Sequence, residues 1–291
     1  MYMTQPKTFK LLRCHPKKTR KKNDYKINDS CYDDKSILLL KDEWNKKNPT
    51  NKIESSNITE IWNNLKEKIM DCTHELCWLD KLVDKINKKK IKKQNFAPIA
   101  PLDEWKKYNN WLSSTEFNEI MAQYMEVYPE FLYLGPSPID FDKIEDGKCI
   151  WPSLCNLDVI KEKQKGKTKF GIVLNLDTND GDGSHWVAMF IDLNKRFVFY
   201  FESTGSTMPK EVTTLMDRVV KQCKDAGIKL KKMDNMKVRH QYGRSECGMY
   251  CLYFIITLLE ETNTPEKFLD KNNKIPDSEM IKLRDIYFNK L

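Results

Sequence analysis

Gln241-Tyr242-Gly243-Arg244-Ser245-Glu246-Cys247-Gly248 runs into residues 249–259, a stretch with no charge and one small polar side chain, Thr257. A helix that is apolar all round belongs in a core. Cys247 then stands at the mouth of a buried helix, where the partial positive charge of the N-terminus favours a thiolate. Gly248 leaves room for close approach to the sulfur. The expected chemistry is nucleophilic attack by Cys247, which needs a base within reach.

The chain has four histidines: His15, His74, His185 and His240. His240 is near Cys247 in sequence and is the rival. His185 is the stronger candidate because a carboxylate can support it. It heads Trp186–Asp192, a strand pattern, and Phe197–Phe201 follows as a second strand across residues 193–196. In a hairpin with that even loop, facing residues have numbers that sum to about 389. His185 then faces Thr204, and Glu202 is its diagonal neighbour on the same sheet face. Glu202 is expected to accept a hydrogen bond from Nδ1 of His185. The other carboxylate, Asp192, lies about 23 Å along the strand and on the opposite face.

Acyl transfer also needs donors for the developing oxyanion. The backbone N–H of Cys247 is one, and the neutral side-chain amide of Gln241 is a second.

His185-Trp186, Glu202, Gln241 and Cys247-Gly248, in that order, resemble the SUMO/ubiquitin-like-protein protease family, and its large-DNA-virus members in particular. Ser203-Thr204-Gly205, Arg239-His240-Gln241 and Trp111-Leu112 add to the likeness. It spans residues 100–270. It implies an α+β, adenain-like cysteine protease core carrying an extra N-terminal helical domain. It also implies a triad of Cys247, His185 and Glu202 with Gln241 at the oxyanion. Many SUMO proteases have Asp where Glu202 stands, whereas adenain-like enzymes use Glu. By the same resemblance the substrate is a polypeptide with Gly-Gly-Xaa sites, threaded between the indoles of Trp186 and Trp111. Processing of viral structural polyproteins in host cytoplasm and virion is expected, with no cofactor or metal. Removal of SUMO or ubiquitin from host conjugates is the alternative.

Upstream of the catalytic segments the composition changes. Residues 1–100 hold 23 Lys and Arg against 13 Asp and Glu, out of 50 and 42 in the 291-residue chain. The basic excess is therefore N-terminal, and the catalytic part does not look like a nucleic-acid binder. Lys17-Lys18-Thr19-Arg20-Lys21-Lys22 reads as part of a solvated basic arm, or as a nuclear-import signal or a contact to nucleic acid or a virion core. Helical periods follow, with Ser36 expected to cap one run and Asn57 or Thr59 the next. The expected division is a basic arm and helical domain over 1–95 and a catalytic domain over 96–291.

No apolar run follows Met1 and none is long enough to span a bilayer, so neither a secretory signal nor a membrane partner is expected. Nine irregularly spaced cysteines suggest reduced thiols rather than a disulfide framework. Cys72, His74 and Cys77, even with Cys14, His15 and Cys31, lack zinc-knuckle spacing and read as core residues.

In the catalytic part, Ser113 and Glu116 form a capping-box pattern. Residues 135–138 read as a turn, 169–176 as a strand, 211–226 as a helix and 236–240 as a short strand. A last helix is expected from Pro276-Asp277-Ser278.

Overall fold

Residues 187, 189 and 191 alternate with 188 and 190 along one apolar strand, so this strand must be covered on both faces. The computed structural model, which describes residues 9–20, 30–107 and 110–291, shows that cover. The chain divides into two compact units, residues 1–99 with 287–291, and residues 100–286. The sequence pattern puts the boundary at 95 and the C-terminus in the second unit.

The first unit is helical: α1 (Pro16–Arg20), α2 (Asp34–Lys47), α3 (Ile58–Lys68), α4 (Glu75–Leu82) and α5 (Lys85–Asn95). Ile37, Leu40, Ile61, Leu65, Trp78 and Leu79 fill its core. Asn57 caps α3 as expected, but Asp33 rather than Ser36 caps α2: its carboxylate accepts the Ser36 N–H. The basic arm is corrected in part. Leu12 is buried in the core and Lys17 lies near Asp33 at 3.5 Å. Lys21 and Lys22 fall outside the described residues.

The cysteine reading is also corrected. Cys14–Cys31, Cys72–Cys77 and Cys149–Cys155 are disulfides, with Cα separations of 4.9, 5.5 and 6.3 Å. Folding brings each pair within bridging range, which irregular spacing does not reveal. Cys223, Cys247 and Cys251 are free.

The second unit follows in order as α6 (Leu102–Lys107), α7 (Ser114–Val127), β1 (Phe131–Pro138), β2 (Ile144–Glu145), β3 (Lys148–Cys149), α8 (Pro152–Cys155) and α9 (Val159–Gln164). Then come β4 (Lys169–Asn175), β5 (Trp186–Asp192), β6 (Phe197–Phe201), α10 (Lys210–Asp225), β7 (Lys231–Asp234), α11 (Cys247–Leu259), α12 (Pro265–Leu269) and α13 (Asp277–Tyr287). Five strands make one mixed sheet ordered β1-β4-β5-β6-β7, parallel at its two outer pairs and antiparallel within.

The hairpin register is the expected one: Ala188 faces Phe201 and Asp192 faces Phe197. Asp192 accepts from the N–H groups of Asn194 and Lys195, so it holds the turn. Two readings fail here. Residues 135–138 belong to β1, an edge strand, where Pro136 costs no interior ladder bond; the pairing slips between Leu134 and Ser137. Residues 236–240 form no strand. Their N–H groups go instead to loop carbonyls, Val238 to Asn235 and His240 to Ser203, and the added strand is β7.

Val187, Met189 and Ile191 share a core with Val212, Leu215 and Val219 of α10. On the other face Phe199 and Phe201 meet Phe254 of α11 at 5.1 and 4.8 Å between ring centroids. Twelve of the thirteen α11 residues are buried. Gly171 makes that approach possible, because a Cβ there would lie 2.8 Å from Ile255 Cγ2 and 2.9 Å from the Phe131 ring. The sheet is thus sandwiched, and α11 delivers its first residue to the end of the sheet where β5 begins and β6 ends.

Candidate active site

Cys247 is the first residue of α11 and is 3% exposed. The loop before it is tied down from α13. Asp277 accepts from the N–H groups of Tyr242 at 3.0 Å and Gly243 at 2.8 Å. The Glu246 carboxylate turns back to accept the Ser245 N–H at 3.0 Å. Gly248 has no room for a side chain, since a Cβ would sit 2.9 Å from Leu112 Cβ.

His185 lies between this sulfur and Glu202. Its Nε2 is 2.5 Å from Glu202 Oε1. The expected nitrogen was Nδ1, and the correction is useful: with Nε2 on the carboxylate, Nδ1 is the ring nitrogen left for Cys247, which lies close enough to raise the His185 pKa. Burial pushes the His185 pKa down, but Cys247 and Glu202, which accept from the charged ring, outweigh it and raise the value to about 9. Burial likewise opposes ionisation of Glu202, and there too hydrogen bonds win. His185, Thr204 and the Ser206 N–H hold its carboxylate down at about 2. The two shifts describe one pair, an imidazolium against a carboxylate.

Glu202 is also fixed through its backbone. Asn235 Oδ1 accepts its N–H at 2.8 Å, and Asn235 Nδ2 donates to its carbonyl at 2.7 Å. Neither Asn235 nor Ser206 was foreseen, and no pattern in the sequence marks Asn235. Gln241 is buried. Its Oε1 accepts the Ser203 hydroxyl at 2.6 Å, which orients the amide, and Nε2 donates one hydrogen to Gly243 O at 3.0 Å. The second Nε2 hydrogen is not used by that bond.

The other histidines are built into the fold. His240, with no exposure, accepts the Ile275 N–H on Nδ1 and has Nε2 3.0 Å from Phe268 O. His74 caps α4 through Nδ1.

Trp186 donates its indole N–H to Leu112 O at 2.9 Å and packs edge-on against Phe117. Trp111, 41% exposed, donates to Arg244 O at 2.9 Å. The expected capping box of Ser113 and Glu116 starts α7 just after Trp111. Both indoles line a groove of about 1010 Å³. The structure therefore brings Cys247, His185 and Glu202 together, seats Gln241 in the loop before the sulfur, and sets Trp186 and Trp111 along one groove. Among the described residues no cluster of His, Cys, Asp and Glu suits a metal ion, and no helix is long and apolar enough to cross a membrane.

The Ulp1 protease family, C-terminal catalytic domain, matches residues 172–291. The SUMO-1 cysteine protease of African swine fever virus is 30% identical over 197 residues, covering 62% of this chain and 69% of that protein. A protein of Acanthamoeba polyphaga mimivirus that bears a thiol-protease name is 31% identical over 184 residues. That match covers 62% of this chain and 58% of the mimivirus protein, less than two thirds of its length. The crystal structure of the swine fever virus protease has the same fold, with a TM-score of 0.65 and 22% identity over 98% of each chain.

Proposed function

The chain belongs to the Ulp1 protease family, and from that premise we propose that it is a cysteine endopeptidase cutting viral structural polyproteins after Gly-Gly. The single observation that supports this most is His185 held between Glu202 and the sulfur at the start of α11.

In this reading Cys247 Sγ attacks the carbonyl carbon of the second glycine. The oxyanion is met by the Cys247 N–H and by the spare Nε2 hydrogen of Gln241, a donor worth about 3 kcal/mol in comparable sites. His185, carrying the thiol's proton, passes it to the leaving amine. It then takes a proton from the water that hydrolyses the thioester, and the thiol is restored. Glu202 keeps the imidazole oriented and balances its charge. Trp186 and Trp111 are proposed as the walls of a slot that favours glycine, which has no Cβ to clash there.

The host cytoplasm and the virion are the proposed sites of action. The basic N-terminal unit is proposed to hold the enzyme on nucleic acid or a virion core, a contact whose strength should fall as salt rises.

The test is cleavage of Gly-Gly-Ala peptides by the intact chain. Wild type should cut after the second glycine, and Cys247→Ala and His185→Ala should not, although both variants stay folded. Cutting by Cys247→Ala at the wild-type rate refutes the mechanism. Faster reaction with a SUMO- or ubiquitin-derived probe than with any peptide points instead to removal of a folded modifier.

A further inference from the structure

The groove beside the two indoles has a one-sided charge. Its charged lining residues are Glu104, Glu116, Asp177 and Asp182; among the described residues no lysine, arginine or histidine lines it. Two of the four are committed to backbone. Glu116 accepts the Ser113 N–H at 2.6 Å, and Asp177 accepts the Gly183 N–H at 3.0 Å. Glu104 and Asp182 are exposed, and neither makes an ion pair among the described residues. Lys143, which stands near Asp180 of the same acidic loop, is itself paired with Glu145 at 2.7 Å. Trp105 and Trp151 bring the indoles of the lining to four.

A second feature marks this wall as built for a ligand. Ser137 lines the groove, is 2% exposed, and its hydroxyl has no hydrogen-bond partner among the described residues. A buried hydroxyl left unpaired is costly, and native structures rarely keep one without a reason. Ser137 also stands where the pairing of β1 with β4 resumes after its irregularity, so the backbone there is displaced from a regular ladder.

The nearest cation, Arg284, is buried and stacks on Trp105 at 4.6 Å, so it takes that ring and lies beside Glu116 but leaves Glu104, Asp182, Trp111 and Trp151 open. Carboxylates and aromatic faces of this kind suit a positively charged side chain. We propose that this groove receives the substrate residues just before the Gly-Gly pair and selects a basic one among them. Glu104 and Asp182 attract the side chain, and Ser137 meets the peptide backbone. This deepens the endopeptidase reading and rests on it for the direction of the substrate.

Binding separates the two ideas, because it does not require cleavage. Three fluorescein-labelled peptides would carry Arg, Ala or Glu two places before Gly-Gly-Ala. Their Kd values are measured by anisotropy with the full-length Cys247→Ala chain. Exposed charge pairs and cation–indole contacts predict a preference of about fivefold for Arg over Ala and again for Ala over Glu. Adding Glu104→Gln and Asp182→Asn should erase the order, and Ser137→Ala should weaken all three alike. Equal binding of the three peptides, or an order that survives the double substitution, overturns the proposal. Failure of the wild-type chain to cut peptides that bind with this preference counts against the endopeptidase reading alone.

Discussion

The side-chain amide of Asn235 clamps the backbone of Glu202, accepting its N–H at 2.8 Å and donating to its carbonyl at 2.7 Å. The same amide also donates to Val238 O at 3.0 Å, so the turn after β7 and the end of β6 are set by one side chain. Glu202 in turn meets the imidazole. Asn235 is therefore a positioning residue for the site. Asn235→Ala leaves two buried backbone groups of Glu202 unpaired and should cost about 2 kcal/mol of stability. A shift of the carboxylate by about 1 Å should lower kcat tenfold to a hundredfold with little change in KM. Urea unfolding and peptide kinetics measure the two effects. A stability loss with kcat unchanged would leave Asn235 a structural role only.

The shifts of His185 and Glu202 fix a pH profile. The folded pKa of His185 is raised to about 9 from an ordinary 6.5. Its contribution to stability is full below 6.5 and is lost as pH rises through 9. The folded pKa of Glu202 is lowered to about 2 from 4.5. Its contribution is full above 4.5 and is lost as pH falls through 2. Between 4.5 and 6.5 both are present. For activity the expected signature is an alkaline fall in kcat/KM centred near pH 9, where the imidazolium loses its proton. Glu202→Gln removes the carboxylate, so that limb should move toward neutral pH. A limb that stays near pH 9 in this variant would assign it to another group.

Much of this site was legible because it rests on local periodicity. The 7-residue and 5-residue strands of the hairpin are continuous apolar runs separated by four residues, so the facing pairs, and with them the partnership of residues 185 and 202, follow from counting. The mouth of α11 was legible because 249–259 is too apolar to lie anywhere but in a core. What the chain order hides is contact between distant turns. Asn235 reaches Glu202 across 33 residues, and nothing in Met233-Asp234-Asn235 marks it. Strand β1 was hidden by Gly135-Pro136, which ordinarily signals a turn but here sits in an edge strand. Residues 236–240 carry a strand-like pattern, yet their backbone donors serve the loop that orients Gln241.

His240 and His185 should separate by variant. Burial is the main cause that lowers the His240 pKa, and both its ring nitrogens serve backbone groups. With a folded pKa below 6.5, the unfolded chain binds the proton more readily, so stability falls as pH drops below 6.5. His240→Ala should cost about 3 kcal/mol, from a cavity and an unpaired Ile275 N–H. At temperatures where the variant stays folded, kcat should remain within about threefold of wild type, too small a loss for removal of a catalytic base. His185→Ala should lose cleavage outright, and below pH 6.5 it should also lose the stability that the raised pKa contributes. Denaturant curves and initial rates on both variants decide it, and loss of cleavage in folded His240→Ala would make it part of the machinery.

The free thiols of Cys223, Cys247 and Cys251 are all buried, and the other six cysteines are paired. Alkylation in denaturant without reductant should therefore add three labels, and nine after reduction. Peptide mapping should place the three at residues 223, 247 and 251. Cys14–Cys31 spans 17 residues, a loop whose closure is worth about 3 kcal/mol in the unfolded chain. Cys14→Ser with Cys31→Ser should lower stability by about that amount while the intact second unit keeps its groove. Cys149–Cys155 is different, because it brackets Trp151, which lines the groove. Replacing that pair by serines frees the indole's segment and should weaken peptide binding more than it weakens the fold. Nine labels before reduction would show that none of the three bridges forms, and the cysteine spacing would then mean what it suggested at first.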